Sequence, residues 1–132
     1  MGHGGSIGWA QERILQMQDI ISFNNTNKLP VFLTATCSFA GYDDPKFTSG
    51  GEETILNPNG GAISMFTTVR AVLANDNYEL SRAIIDTLYT NSPSGSMRFG
   101  DAMNAAKNNP SISASNHRKF TLLGDPSQQI SI

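Results

Sequence analysis

A chain of 132 residues with a single cysteine has room for one domain and one hydrophobic core, and is short for a complete α/β enzyme. A net charge of −2 with only 15% charged residues gives neither the basic footprint of a nucleic-acid binder nor the polybasic run that holds an anionic membrane. One cysteine allows no internal disulfide, His3 and His117 lie far outside metal-ligand spacing, and no apolar run approaches the roughly 18 to 20 residues of a membrane span. The N-terminus also lacks the basic-then-apolar order of a signal peptide.

The chain opens on GHGG, residues 2–5, a glycine-rich turn with a histidine in it and no element before it to connect. Residues of the same domain are therefore expected upstream of Met1. From Ala10 to about Phe23, Ala10, Ile14, Met17 and Ile21 recur at helical spacing and predict an amphipathic helix ending near the polar NNTN. Val31 to Thr36 reads as a strand covered on both faces, ending at Cys37. The Gly-, Asp- and Pro-bearing loop after it is long enough to suggest function. EETILNPNGG reads as a short helix with a Pro and Gly stop, and Ala62 to Val69 as a second strand. Asp76 or Asn77 can cap a helix carrying Leu80, Ile84 and Leu88 on one face. SPSGS breaks the chain, a further helix aligns Phe99, Met103 and Ala106, and RKFTLLGDPS closes with a last strand. Helices alternating with short apolar strands predict an α/β fold with a parallel sheet and helices on both faces.

Cys37 has two readings: a small buried hydrophobe, or a reactive group at the carboxyl end of a strand, where open α/β sheets present their chemistry. If a strand precedes GHGG, His3 stands at the same end of the sheet, one crossover away, and the two loops lie side by side. An imidazole within hydrogen-bond reach helps a thiol become a thiolate at neutral pH. Gly4 and Gly5 permit close approach of a substrate, and the N–H groups of Gly4 and Cys37 are placed to meet a developing oxyanion.

GHGGSIGWAQERIL, LPVFLTATCSF, NPNGGAISMFTTVR and RKFTLLGDPS, taken together and in this order, resemble the gingipain family of cysteine peptidases. Within it they most resemble the members that remove type IX secretion signals in Bacteroidetes. The resemblance implies a caspase-like three-layer α/β/α sandwich with a mostly parallel sheet, of which residues 1–132 form the C-terminal part. It implies His3 as general base and acid, Cys37 as nucleophile, and Gly4 with Cys37 as oxyanion-hole amides. The firmer role for His3 is protonation of the leaving amine. Two departures stand out. Thr36, not alanine, precedes the nucleophile, and no acid lies upstream to orient His3, which leaves only Glu12 if its helix begins near the site.

The strand end MFTTVRA implies Thr67, Thr68 and Arg70 as substrate-pocket residues, Arg70 being either a pocket donor or a surface ion pair. Asp43 and Asp44 either attract a basic side chain or serve the turn before Pro45, and two carboxylates are too few to define a calcium site. Trp9 either walls the cleft or packs in the core. His117 reads as a solvated loop histidine, Met65, Met97 and Met103 as core filling, and NNT at 24–26 as a chance match to a glycosylation pattern. Three readings remain: a Cys-His endopeptidase acting on exported proteins, an inactive caspase-like module that binds peptide or protein, and a structural α/β piece. No cofactor, nucleic acid or membrane insertion is implied. The resemblance places the parent protein at the cell surface or outer membrane, and an uncovered sheet edge suggests a homo-oligomer.

Overall fold

The computed structural model describes residues 2–10, 12–89 and 97–130. The expected upstream residues and the SPSGS break at 92–96 lie outside these. In chain order the elements are β1 (Gly4–Gly5), β2 (Gly8–Trp9), β3 (Leu15–Gln16), α1 (Met17–Ile21), β4 (Val31–Leu33), α2 (Gly50–Leu56), β5 (Ser64–Thr68), α3 (Ala74–Tyr89), α4 (Phe99–Lys107), α5 (Ala114–His117) and β6 (Phe120–Gly124). β1, β2 and β3 form a small antiparallel sheet, and the main sheet has the order β4-β5-β6.

Period-two alternation divides the main sheet between two cores. Phe66, Val31, Leu33, Phe120 and Leu122 face α3 and α4, where Leu80, Ile84, Leu88, Phe99, Met103 and Ala106 supply the apolar stripe. Met65, Phe32 and Leu123 face the other way, onto Ile20 of α1, Ile55 of α2, and Phe39. The molecule is thus a three-layer α/β/α arrangement with β5 central, every residue of which is buried. Met97, expected as core filling, packs against the first of these cores.

β4 pairs with β5 in parallel, as predicted, but β6 runs antiparallel to β5. Three helices, α3, α4 and α5, lie between β5 and β6 where a parallel crossover needs one, and the chain re-enters the sheet from the opposite end. The predicted helix over Ala10 to Phe23 shrinks to α1. Ala10 (φ 59°) and Arg13 (φ 57°) are left-handed, which breaks a helix, and Gly8 lets β2 approach β3 so closely that a Cβ there would lie 2.6 Å from the Leu15 carbonyl oxygen. Burying Trp9 and Leu15 in the second core outweighs the helical spacing, and Ile14 is left 73% exposed.

Caps explain the helices that match. The Ser49 hydroxyl accepts from the Glu52 N–H while the Glu52 carboxylate accepts from the Ser49 N–H at 2.8 Å, a capping box that starts α2. Gly61 (φ 93°) ends the turn after it, where any Cβ would collide with the Thr54 carbonyl. Neither Asp76 nor Asn77 caps α3, which already begins at Ala74; Asp76 instead accepts from the Ser113 hydroxyl, tying α3 to α5. His117 lies in α5, half-buried with its Nε2 shielded, and not in a solvated loop, because Asn116 and the helix fold it back on the body of the protein.

Thr67 and Thr68 are both 0% exposed, which corrects their expected place in a substrate pocket: central position in the sheet turns each into an internal strut. The Thr34 hydroxyl donates to Thr67 Oγ1 at 2.7 Å, and the Thr68 hydroxyl donates to the Thr36 carbonyl at 2.5 Å. Thr67→Val should therefore cost about 1–3 kcal/mol by orphaning Thr34, and Thr34→Val/Thr67→Val should recover most of that loss in urea unfolding. Equal or additive losses would show that the hydroxyl pair is not coupled.

Candidate active site

Cys37 follows β4 at the carboxyl end of the parallel pair, and its backbone is laced to the segment after β5. The Thr36 carbonyl accepts from Thr68, the Ser38 N–H donates to the Arg70 carbonyl at 3.2 Å, and the Ala40 N–H donates to the Thr68 carbonyl at 2.9 Å. Ser38 has φ 55°, a costly left-handed conformation for a residue with a side chain, and it turns the chain sharply just after the half-buried Cys37. The thiol donates weakly to the Val72 carbonyl at 3.9 Å. Among the described residues the Cys37 N–H donates no hydrogen bond.

The GHGG segment lies on the outer side of the same strand. The Gly2 N–H donates to the Ala35 carbonyl at 3.3 Å, and the His3 carbonyl accepts from the Ala10 N–H at 2.8 Å. His3 is exposed and makes no hydrogen bond to Cys37 among the described residues. The three described non-glycine residues with positive φ, Ala10, Arg13 and Ser38, all belong to the hairpin after His3 or the turn after Cys37. Backbone strain of this kind persists only where the surrounding fold over-determines it.

The chain on either side of Cys37 borders a different hollow. One, of about 180 Å³, is lined by His3, Trp9, Ile14, Leu33 and Ala35 among others. The other, of about 330 Å³, is lined by Ser6, Ser38, Asp43, Asp44, Phe47 and Arg70. A larger hollow of about 490 Å³ on the hairpin includes neither His3 nor Cys37. Trp9 packs edge-on against Phe32 and Phe39 at 5.7 and 5.4 Å between ring centres, so the core reading holds, while its flank also walls the first hollow. Glu12 is exposed, precedes α1, and makes no contact of charge with His3 among the described residues.

Arg70 lines the second hollow and forms a surface ion pair. Its guanidinium forks onto both carboxylate oxygens of Asp43 and also reaches the Val69 carbonyl at 2.7 Å. Those hydrogen bonds hold the Asp43 carboxyl below its ordinary value of 3.8 and raise Arg70 in turn. Asp43 is therefore committed to Arg70, and no group of three or more His, Cys, Asp or Glu positioned for a metal occurs among the described residues.

The pair closes the loop after Cys37 onto the end of β5. Its contribution should be full above the unfolded carboxylate value of about 4 and should disappear as pH falls through the lowered folded value. Both partners are roughly half exposed, so salt also weakens it. The difference in thermal midpoint between the native protein and Asp43→Asn should accordingly shrink in acid and at high salt. A difference independent of pH would assign the loop to other contacts.

The thiol at the strand end and the Gly-His segment pinned just before it through Gly2 and Ala35 stand in a three-layer α/β/α body. The sequence matches the model of peptidase family C25 over residues 1–131, and the chain belongs to that family. No curated protein matches it significantly. Among solved structures it is similar to the Arg-specific cysteine proteinase gingipain R (RgpB), with TM-score 0.80 and 15% identity over 98% of this chain and 32% of that one. A complex of the Porphyromonas gingivalis RgpB pro- and mature domains matches at TM-score 0.80 and 16% identity, over 96% of this chain and 32% of that one. A structure described only as a protease also matches at TM-score 0.80 and 16% identity, covering 98% and 34%. The fold is that of the gingipains, and the chain spans about a third of the length of these proteins.

The turn at Ser38, the pairing of Arg70 specifically with Asp43, and the packing of Gly4 on Thr36 were not foreseen from the sequence. A serine in left-handed backbone leaves no compositional signal, and Asp43 and Arg70 are joined only by the sheet.

Proposed function

We propose that this chain carries the catalytic pair of a cysteine endopeptidase, with Cys37 as nucleophile and His3 as the proton-transfer group. The Cys37 thiol passes its proton to His3 as the sulfur attacks the scissile carbonyl carbon, and a thioester forms while the C–N bond breaks. His3 gives its proton to the departing amine. Water, giving a proton to His3, then hydrolyses the thioester, and His3 returns that proton to the departing sulfur to restore the thiol. The Gly4 and Cys37 N–H groups are the proposed donors to the carbonyl oxygen as it gains charge.

The observation that carries this reading is the pinning of the GHGG segment to the strand of Cys37 through Gly2 and Ala35, with the Cys37 N–H left free of other partners among the described residues. Family membership supports the same chemistry. The hollow bounded by Arg70, Asp43 and Asp44, starting at Ser38, is the proposed side-chain pocket. The resemblance to type IX secretion peptidases extends the proposal to exported proteins as substrates, with removal of their secretion signals as the reaction. On that reading the enzyme works at the cell surface or outer membrane, and the present chain supplies the His- and Cys-bearing part of its peptidase domain.

A peptidyl acyloxymethyl ketone tests the proposal by intact-mass measurement. A single covalent adduct mapping to Cys37, absent from His3→Ala, is expected; labelling no faster than that of free cysteine would leave a caspase-like module that only binds peptide. The outer edge of β4 at Val31–Leu33, which the GHGG segment does not pair with, is also the proposed route to self-association. Light scattering after size exclusion should show a dimer at high concentration, and a clean monomer would end that proposal.

A further inference from the structure

We propose that Thr36 is the spacer that sets the separation between the His3 loop and the strand of Cys37, and that it is matched to glycine at position 4. The proposal rests on the reading in which His3 and Cys37 act together.

A Cβ built on Gly4 would lie 2.8 Å from Thr36 Cβ and 3.2 Å from both its Cγ2 and Oγ1. The backbone beside His3 therefore already rests on the Thr36 side chain, with no room for another carbon. Thr36 cannot retreat: it is 7% exposed, it is β-branched and stiff at χ1, and its carbonyl is held by the fully buried Thr68. The His3 loop is held from the opposite side by the bond from Ala10 to the His3 carbonyl, and just before it by the Gly2 to Ala35 bond. His3 thus hangs between a fixed hairpin and a fixed side chain that directly precedes the nucleophile.

The Thr36 hydroxyl identifies the kind of work done. It is buried and makes no hydrogen bond among the described residues, so what the position contributes is volume and shape rather than a polar contact. Valine should replace it, whereas removing the side chain should let the His3 loop slacken.

The test reads the His3-dependent rate of Cys37 alkylation by iodoacetamide at pH 7, with thermal midpoints recorded in parallel. Gly4→Ala should slow alkylation on the order of 10- to 100-fold, as an ångström-scale misplacement does. Thr36→Gly added to Gly4→Ala should restore most of the rate by vacating the space. Thr36→Gly alone, which adds no bulk and so should not obstruct folding, should lose rate, while Thr36→Val should keep it. The spacer role is overturned if the double variant regains its thermal midpoint without regaining rate, or if Thr36→Val loses as much as Thr36→Gly. A native protein whose alkylation does not depend on His3 would overturn the Cys-His reading itself, and the spacer with it, before any variant at 4 or 36 is made.

Discussion

Cys37→Ala should abolish peptide hydrolysis, and His3→Ala should reduce kcat/KM by about 10²- to 10⁴-fold, the range that positioned proton transfer supplies. The two losses should not add, because each removes a member of one acting unit. The fold gives reasons to expect an effect of this size with little change in stability. His3 is exposed and its imidazole holds no part of the core, while among the described residues the Cys37 side chain makes one weak hydrogen bond, to the Val72 carbonyl. Removing either side chain disturbs chemistry and leaves the Ser38 turn, the Thr68 strut and the Arg70–Asp43 fork in place. Thermal midpoints within a degree or two of the native protein, alongside the kinetic loss, are the expected pattern. A His3→Ala variant that hydrolyses peptide at the native rate would remove His3 from the reaction.

Phe66→Ala should destabilise the protein by about 3–5 kcal/mol, a large share of the roughly 5–15 kcal/mol that holds a domain together. Phe66 is 1% exposed at the centre of β5, the strand that every other part of the main sheet is built around. Its ring meets Phe99 edge-on at 5.7 Å and packs among Leu80, Ile84 and Phe120, so truncation opens a cavity where the sheet, α3 and α4 converge. The cavity also loosens the strand whose next two residues brace the Cys37 segment, so activity should fall with stability. Ile85→Ala, on the exposed side of α3, is the comparison and should change stability by no more than about 0.5 kcal/mol. Urea midpoints at unchanged slope measure both. A Phe66→Ala cost below about 1 kcal/mol would mean that the core collapses around the gap.

Much of this architecture is written in local pattern. β4, β5, α4 and β6 follow from apolar runs and helical spacing, and the cap at Ser49 and Glu52 is readable as a motif. The elements that misled did so where tertiary contacts override spacing. Ala10, Ile14, Met17 and Ile21 have the period of a helix face, yet Gly8 and the left-handed Ala10 and Arg13 fold the segment into a hairpin that buries Trp9 and Leu15. The direction of β6 depends on how the whole α3–α4–α5 connection packs, which no single window of sequence reveals. Thr67 and Thr68 looked like pocket residues because they end a strand; the strand proved central, and its end is covered.

For the proposed site, His3, Gly4 and Cys37 stand out in the sequence because a glycine-flanked histidine and a strand-terminal cysteine carry chemistry in their type and address. Arg70 was legible as a charge near the site, but its partner was not, since Asp43 and Arg70 meet only after β5 lies beside β4. Trp9 was correctly left between wall and core, because an indole of that size does both.

The rate of Cys37 alkylation by iodoacetamide at neutral pH, compared between the native protein and His3→Ala, bears most directly on whether these two residues form one reacting unit. A native rate well above that of free cysteine, falling to the free-cysteine rate in His3→Ala, is the result expected of a Cys-His pair. Equal rates in the two proteins would contradict it.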